Sequence, residues 1–371
     1  MNIDQLLGGI SAASFLAEYW QKKPLLVRCA LPDFQDLLSP AQLFALAGQD
    51  QVTARLVKKV GNGWSLQHGP LLKRDMPTQK TKCEWTILVQ ELNHHVRQAE
   101  VLLQRFNFIP YARLDDLMVS YAVAGGGVGP HFDSYDVFLV QGRGHRLWQV
   151  AAQDDLALID GLPLKILRNF TAEQEWVLAP GDMLYLPPRY AHNGIAQDEC
   201  MTYSIGFRAP STQEITTQFL IYLQDRLELP GMYRDPNITL QQQPAEIAPD
   251  MIEKLSEMIQ RIRWDDSAVK DFIGRYLTEP KAHIYFNPSD ESMGVEQFAA
   301  QVLQQGVRLA PQSRLLFIEQ SFYLNGEKID MTYSKQCMHQ LANERALSPQ
   351  VLPVDCVKWL YECYVDGFIV F

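Results

Sequence analysis

The sequence is poor in cysteine, in clustered positive charge and in long apolar runs, and each shortage excludes a class of protein. Its 371 residues include six cysteines but no Cys-x-x-Cys pair, which excludes a zinc knuckle and a thioredoxin-like redox motif. Cysteines so few and so dispersed do not make a disulfide framework. No apolar run approaches the roughly 18 residues that a membrane span requires. We therefore expect a reduced protein with no membrane partner.

Positive charge is scarce as well. Lys and Arg number 33 against 43 Asp and Glu, which gives a formal net charge of −10. A partner that is held through its phosphates needs clustered basic residues, so we expect no direct nucleic-acid binding. The first residues, MNIDQLLGG, contain neither a basic region nor a cleavage signature. We expect a cytoplasmic protein.

The apolar content predicts a folded protein of more than one domain. Hydrophobic residues make up 47% of the chain and aromatic residues 11%, which is enough for a large core. A chain of this length exceeds what one core usually organises. Residues 1–110 mix short helices and strands, and a longer amphipathic helix is predicted from about Trp85 to Phe106.

From Leu114 to about Arg208 the pattern changes to short β runs that are separated by Gly and Pro. This rhythm is typical of an antiparallel sandwich or barrel. Residues 211–278 are mostly helical in pattern and have apolar faces. Such a segment packs either against a second subunit or within its own domain, and the pattern does not decide between the two. From residue 279 onward, helices and a hairpin with Asn325-Gly326 at its turn resemble a winged helix.

A candidate metal site lies within the β region. His131 and Asp133 are two residues apart, so in an extended segment their side chains point to the same face. His192, at the end of a later β run, could be the third ligand. Two histidines and one carboxylate form the facial triad of non-haem Fe(II) oxygenases, which leaves positions open for a co-substrate and O₂.

Two further residues fit a 2-oxoglutarate site. The far carboxylate of 2-oxoglutarate needs a cation on the barrel wall, and the planar fork of Arg146 matches a carboxylate. Arg146, Trp148 and Val150 share one strand face. Ser120, on an earlier strand, could donate its hydroxyl to the same carboxylate.

Four stretches carry a family resemblance: WQKKPLLVR, DDLMVSYAVAGGGVGPHFDSYDVFLVQGRGHRLWQV, PGDMLYLPPRYAHNG and YSIGFRAPS. The chain resembles the JmjC-domain 2-oxoglutarate oxygenases, and within them the bacterial ribosomal oxygenases. The resemblance implies an α+β fold with a JmjC/cupin-type double-stranded β-helix barrel. It places the oxygenase domain at 1–210, with the barrel core at about 112–208. A helical dimerisation segment at 211–278 and a winged-helix-like domain at 279–371 would follow.

The resemblance also implies an activity and its residues. It implies hydroxylation of an arginine in a basic loop of a large-subunit ribosomal protein by a homodimer that uses Fe(II), 2-oxoglutarate and O₂. His131, Asp133 and His192 would hold the iron, and Arg146 and Ser120 the 2-oxoglutarate. Arginine at position 146, where many JmjC demethylases have lysine, favours the ribosomal-oxygenase branch. The substrate guanidinium would lie near Asp116, Met118, Tyr135 and Ser204.

Two other functions compete with this interpretation. A cupin-type metal dioxygenase that acts on a small molecule would use the same metal ligands but would have no need of Arg146. A dimeric binding module whose barrel has lost its activity would not retain a complete set of metal ligands. Arg146 therefore separates the first alternative from the leading function, and the complete set of His131, Asp133 and His192 separates the second.

Overall fold

The computed structural model describes residues 3–61, 63–77, 83–288, 293–329 and 335–371. The chain divides into two compact units, with the boundary between Ala209 and Pro210. Within the described ranges, no helix combines the length and the apolar character that are needed to cross a membrane.

The first unit is built mainly from strands, with short helices before and between them. The helices are α1 (Ile3–Leu6), α2 (Ala12–Glu18), α3 (Pro40–Ala47), α4 (Leu92–His95) and α5 (Arg97–Gln104). The strands are β1 (Leu25–Val27), β2 (Ala54–Val60), β3 (Gly63–His68), β4 (Glu84–Val89), β5 (Leu114–Ala122), β6 (Val137–Gln141), β7 (Arg146–Ala151), β8 (Gln174–Leu178), β9 (Met183–Leu186), β10 (Ala191–Ala196) and β11 (Cys200–Phe207).

These strands form two antiparallel sheets that pack face to face. The larger sheet has the order β1-β9-β6-β11-β5-β4-β2-β3, and the smaller one has the order β10-β7-β8. Val137 and Leu139 of the larger sheet share a buried cluster with Trp148 and Val150 of the smaller sheet. Side chains alternate between the faces of a strand, so every second residue of these strands points between the sheets. The predicted α+β fold with a double-stranded β-helix barrel is confirmed.

Side-chain caps fix the starts of two helices in this unit. The side chain of Ser11 accepts a hydrogen bond from the backbone N–H of Ser14 and so caps α2. Ser39 forms a capping box with Gln42, and Pro40 occupies the first turn of α3, where its missing N–H costs nothing.

The long helix predicted from Trp85 to Phe106 is wrong in its first part. Residues Glu84–Val89 form strand β4, and helical structure begins only at Leu92. The β-branched residues Thr86, Ile87 and Val89 favour a strand and outweigh the amphipathic pattern. As a result, β4 pairs with β5. The barrel core was predicted to begin at about residue 112, but the larger sheet also includes β1, β2, β3 and β4, which all precede that residue.

The second unit combines helices with two small antiparallel sheets. Its helices are α6 (Thr212–Gln224), α7 (Pro249–Ile259), α8 (Asp266–Thr278), α9 (Val295–Gln305), α10 (Lys335–Glu344) and α11 (Val354–Val365). Its strands are β12 (Val307–Leu309), β13 (Leu315–Ile318), β14 (Ser321–Leu324), β15 (Glu327–Lys328), β16 (Ala346–Leu347) and β17 (Ile369–Val370), in the orders β16-β12-β17 and β13-β14-β15. Asn325 and Gly326 have φ values of 50° and 90°, so the predicted turn between β14 and β15 is confirmed.

Candidate active site

The three residues that the sequence nominates as metal ligands lie together between the sheets. His131 and His192 form an antiparallel bridge in which each backbone N–H donates to the carbonyl of the other, at 2.9 and 2.8 Å. The backbone carbonyl of Asp133 accepts a hydrogen bond of 2.7 Å from the backbone N–H of Arg189. One nitrogen of each histidine and one oxygen of Asp133 all lie within 4.8 Å of one another. The set therefore has the composition and the proximity of a facial triad.

Hydrogen bonds fix both histidine rings in the form that binds metals. Nδ1 of His131 lies 2.9 Å from the carbonyl oxygen of Gly129, and Nδ1 of His192 lies 2.9 Å from that of Tyr190. A carbonyl oxygen only accepts hydrogen bonds, so each Nδ1 carries the proton and each Nε2 keeps its lone pair. Nε2 of His192 lies 3.7 Å from Oδ2 of Asp133.

The surroundings of His192 also keep it neutral. Burial first, and then the neighbouring His131, lower the pKa of His192 below its ordinary value, while the Asp133 carboxylate acts in the opposite direction. A neutral imidazole is the form that a metal ion requires. The donor set, its tautomers and its charge therefore fit a divalent transition metal.

A cavity of about 570 Å³ surrounds these ligands. This volume is in the range of sites for small molecules. It is enough for a five-carbon dicarboxylate together with the end of a long side chain. All nine site residues predicted from the sequence line it: Asp116, Met118, Ser120, His131, Asp133, Tyr135, Arg146, His192 and Ser204.

Arg146 lies at one end of the cavity and has an open hydrogen-bonding face. The side chain is 5% exposed, and its Nη1 donates to Oγ of Ser120 at 3.1 Å. Its Nε and Nη2 have no hydrogen-bond partner anywhere in the described part of the chain. These two atoms are the side of a guanidinium that binds a carboxylate through two parallel hydrogen bonds. A buried cation without an anion is costly, so the geometry fits the far carboxylate of a dicarboxylate co-substrate.

The four residues nominated for the substrate line the cavity around the metal ligands. Asp116 is buried, and its Oδ2 accepts a hydrogen bond of 3.0 Å from the backbone N–H of Glu91. Met118 and Ser204 face each other across the pairing of β5 with β11. Burial and the nearby Asp133 carboxylate raise the pKa of Tyr135, so its phenol stays protonated. Carboxylate, hydroxyls and an apolar side chain are thus placed together.

Comparisons with known proteins agree with this geometry. The family described as JmjC domain matches residues 101–215, and the one described as ROXA-like winged helix matches residues 261–353. The chain is 35% identical over 343 residues to ribosomal protein uL16 3-hydroxylase of Escherichia coli, and the match covers 91% of this chain and 90% of that protein. A probable ribosomal oxygenase of Haemophilus influenzae is 33% identical and matches 86% of this chain and 82% of that protein.

A solved structure extends the agreement to the fold. A ribosomal oxygenase from Escherichia coli, in complex with cobalt and 2-oxoglutarate, superimposes with a TM-score of 0.82 at 31% identity, covering 98% of each chain. The chain belongs to the JmjC-domain ribosomal oxygenases. It is therefore a 2-oxoglutarate-dependent oxygenase with a C-terminal winged helix, as the resemblance implied.

The cavity of this oxygenase also contains residues that were not nominated from the sequence. Arg55, Thr86 and Trp148 all line it. Trp148 had a signal, because it follows Arg146 by two positions and shares its strand face. Thr86 was not predicted as a site residue because the sequence pattern indicated a helix where β4 lies. Arg55 was not predicted because no β run was identified at β2. In both cases the residue reaches the cavity only through its place in the larger sheet.

Proposed function

We propose that this chain is an Fe(II)- and 2-oxoglutarate-dependent hydroxylase that acts on an arginine side chain of a large-subunit ribosomal protein. The observation that carries the proposal is the open Nε/Nη2 face of buried Arg146 in the same cavity as His131, Asp133 and His192. A cavity with both features binds a metal and a dicarboxylate side by side. This arrangement is what a 2-oxoglutarate oxygenase needs.

The metal ligands and Arg146 would divide the work of binding. His131, Asp133 and His192 would hold Fe(II), which together with 2-oxoglutarate and O₂ supplies the oxidising chemistry of the family. Arg146 would fix the far carboxylate of the co-substrate. Ser120, which was predicted to donate its hydroxyl to the same carboxylate, would instead orient the guanidinium through its hydrogen bond to Nη1. The protein's contribution is geometry and a cavity that limits the access of water.

The substrate arginine would enter past Met118 and Tyr135. These two side chains supply apolar surface for the methylene groups, and Asp116 and Ser204 supply acceptors for the guanidinium. Because a buried guanidinium without an anion is costly, the Asp116 carboxylate should contribute more than the Ser204 hydroxyl. The net charge of −10 favours the approach of a basic ribosomal protein at low salt. The Escherichia coli relative is named for hydroxylating ribosomal protein uL16, which supports the substrate class.

The two competing functions explain the cavity less well. A cupin-type dioxygenase that acts on a small molecule without 2-oxoglutarate would leave the Arg146 fork without an anion. A silent binding module would not need two histidines whose Nδ1–H groups are both fixed by backbone carbonyls. Both features are expected of an active 2-oxoglutarate hydroxylase.

Mass spectrometry of a candidate substrate tests the proposal. The full chain is incubated with Fe(II), 2-oxoglutarate, O₂ and a basic fragment of a large-subunit ribosomal protein. We expect one added oxygen, assigned to an arginine by fragmentation, and no product when 2-oxoglutarate is left out. An added oxygen on histidine or asparagine instead would contradict arginine specificity.

We also propose that the chain forms a homodimer through residues 211–278. Helix α7 has no buried residue in the described structure, and its Ile252 and Ile259 are 54% and 67% exposed. Leu220 and Ile221 on α6 are also exposed. Apolar side chains in such number on one segment are unfavourable in water and are typical of a surface that a protein partner covers. A second copy of the chain is the partner that the apolar character of this segment and the family resemblance both favour.

A further inference from the structure

The end of the cavity at Arg146 contains more open hydrogen-bonding groups than Arg146 itself. Thr86 and Trp148 are 1% and 5% exposed, and both line the cavity. The Thr86 hydroxyl and the Trp148 indole N–H have no hydrogen-bond partner in the described ranges. Nε of Arg55, which also lines the cavity, is likewise unpaired there. Buried polar groups are nearly always paired, so unpaired groups in one cavity point to a ligand that pairs them.

Trp148 lies between the metal ligands and Arg146. In the pairing of β7 with β10, Val150 faces His192, Trp148 faces Gly194, and Arg146 faces Ala196. The centre of a Trp148 ring lies 5.9 Å from the His192 ring and 5.9 Å from Cζ of Arg146. A ligand that reaches from the metal ligands to Arg146 therefore passes beside the indole.

Glycine at position 194 is what lets the indole occupy this place. A Cβ at Gly194 would come within 2.8 Å of Cζ3 and Cη2 of Trp148. Real Cβ atoms do not approach carbon atoms so closely, so the six-membered ring of the indole rests directly on the backbone of β10. The position of Trp148 is fixed by the fold and does not depend on a flexible loop.

Thr86 lies at the same end of the cavity, on the opposite sheet. In the pairing of β4 with β5, Leu88 faces Ser120 and Thr86 faces Ala122. Thr86 is therefore the diagonal neighbour of Ser120 on the same sheet face. Because Oγ of Ser120 bonds Nη1 of Arg146, Thr86 and Arg146 both border on Ser120.

We propose that Trp148 and Thr86 complete the binding site for the far carboxylate of 2-oxoglutarate. An indole N–H only donates, so its partner must be an acceptor. A carboxylate has about four lone-pair positions. Two of them accept from Nε and Nη2 of Arg146, and the other two accept from Trp148 Nε1–H and the Thr86 hydroxyl. This inference rests on the proposed function, since it takes 2-oxoglutarate as the ligand.

Binding measurements on two conservative variants test the inference. Trp148→Phe keeps a flat apolar ring without the N–H, and Thr86→Val replaces the hydroxyl by a methyl group of the same shape. The full chain is loaded with Co(II) and titrated calorimetrically with 2-oxoglutarate. Each variant should bind it about tenfold more weakly than the unmodified chain, because each removes one hydrogen bond to a charged group.

A ligand without the far carboxylate provides the specificity control. 2-Oxopentanoate has the same keto-acid end but lacks the far carboxylate, so both variants should bind it with the same affinity as the unmodified chain. Trp176→Phe is the matched protein control. Trp176 faces Trp148 in the pairing of β7 with β8 but is not among the residues that line the cavity. The affinity of the Trp176→Phe variant for 2-oxoglutarate should therefore equal that of the unmodified chain.

The outcomes separate this inference from the proposed function. Unchanged affinity for 2-oxoglutarate in both variants would overturn the inference and leave the proposed function standing. An equal loss for 2-oxopentanoate would also overturn it, because the two residues would then act on the keto-acid end. No 2-oxoglutarate binding by the unmodified Co(II)-loaded chain would contradict the proposed function itself. If Trp148→Phe fails to fold, Thr86→Val alone decides.

Discussion

The cavity of the first unit and the helical segment of the second unit differ in the kind of group that they leave without a partner. In the cavity of the first unit the unpaired groups are polar and buried; among the described residues they are Arg55 Nε, Arg146 Nε and Nη2, Trp148 Nε1 and the Thr86 hydroxyl. In the second unit, α6 and α7 leave apolar side chains exposed, and α7 has no buried residue in the described structure.

The difference indicates what each unit binds. Buried donors in a cavity need a small ligand rich in acceptors. Exposed apolar side chains on a helix need a large surface that covers them. The first unit thus fits a metal and a dicarboxylate, and the exposed apolar side chains of the helical segment fit the homodimer proposed above. Four variants test this division, beginning with the largest expected effect.

Asp133→Ala should abolish both metal retention and turnover. It removes the carboxylate of the triad and leaves only two histidine ligands for a divalent ion. Metal content after desalting, together with 2-oxoglutarate consumption, measures both losses. Asp198→Ala is the matched control, because Asp198 pairs with His145 at 2.7 Å outside the cavity. Full activity in Asp133→Ala would remove Asp133 from the metal site.

Arg146→Ala should separate co-substrate binding from metal binding. Metal content should stay near that of the unmodified chain, while the KM for 2-oxoglutarate rises at least about tenfold, since a bidentate contact worth roughly 2–5 kcal/mol is lost. Arg146→Lys should restore only part of the affinity, because an ammonium group cannot reproduce the planar fork. An unchanged 2-oxoglutarate dependence in Arg146→Ala would show that the co-substrate is held elsewhere.

Asp116→Asn should weaken substrate hydroxylation without affecting the co-substrate. The amide can still accept the hydrogen bond from the backbone N–H of Glu91, but the charge that would receive a guanidinium is lost. Arginine hydroxylation should fall about tenfold or more, while substrate-free consumption of 2-oxoglutarate continues. Asp116→Ala should also lower the free energy of unfolding by about 1–3 kcal/mol, because it leaves a buried N–H unpaired. Normal arginine hydroxylation in both variants would exclude Asp116 from the substrate site.

Ile252→Glu should have the smallest effect on the reaction and should instead weaken the association of two copies of the chain. A carboxylate on the exposed apolar face of α7 would be costly to bury against a second copy. Light scattering at micromolar concentration should show a dimer for the unmodified chain and mainly monomer for the variant, with 2-oxoglutarate affinity unchanged. Gln304→Glu adds the same charge at an exposed polar position outside residues 211–278 and should leave the dimer intact. A monomeric unmodified chain would contradict the proposed dimer.

The sequence could predict those parts of the site that depend on short spacing. His131, Asp133 and Tyr135 alternate along one segment, as do Asp116, Met118 and Ser120, so local geometry was enough to place each group on one face. The family resemblance then connected these groups to His192 and Arg146.

The remaining residues depend on how strands pair. Thr86 reaches the cavity only because β4 joins β5, and the same segment carries an amphipathic pattern that predicted a helix. Trp148 takes its place because Gly194 lies opposite to it on β10, which is a contact between residues 46 positions apart in the chain. Register between distant strands is a tertiary property, and a single sequence does not reveal it.

The stoichiometry of the reaction tests the central claim most directly, because it requires the metal, the co-substrate and the substrate to meet in one cavity. The full chain is supplied with Fe(II), O₂ and a basic ribosomal-protein fragment, and both 2-oxoglutarate consumed and oxygen added to arginine are measured. After subtraction of the consumption measured without the fragment, the account predicts that one molecule of 2-oxoglutarate is consumed for each arginine hydroxylated. Hydroxylation that proceeds without 2-oxoglutarate, or consumption that never places oxygen on arginine, would contradict it.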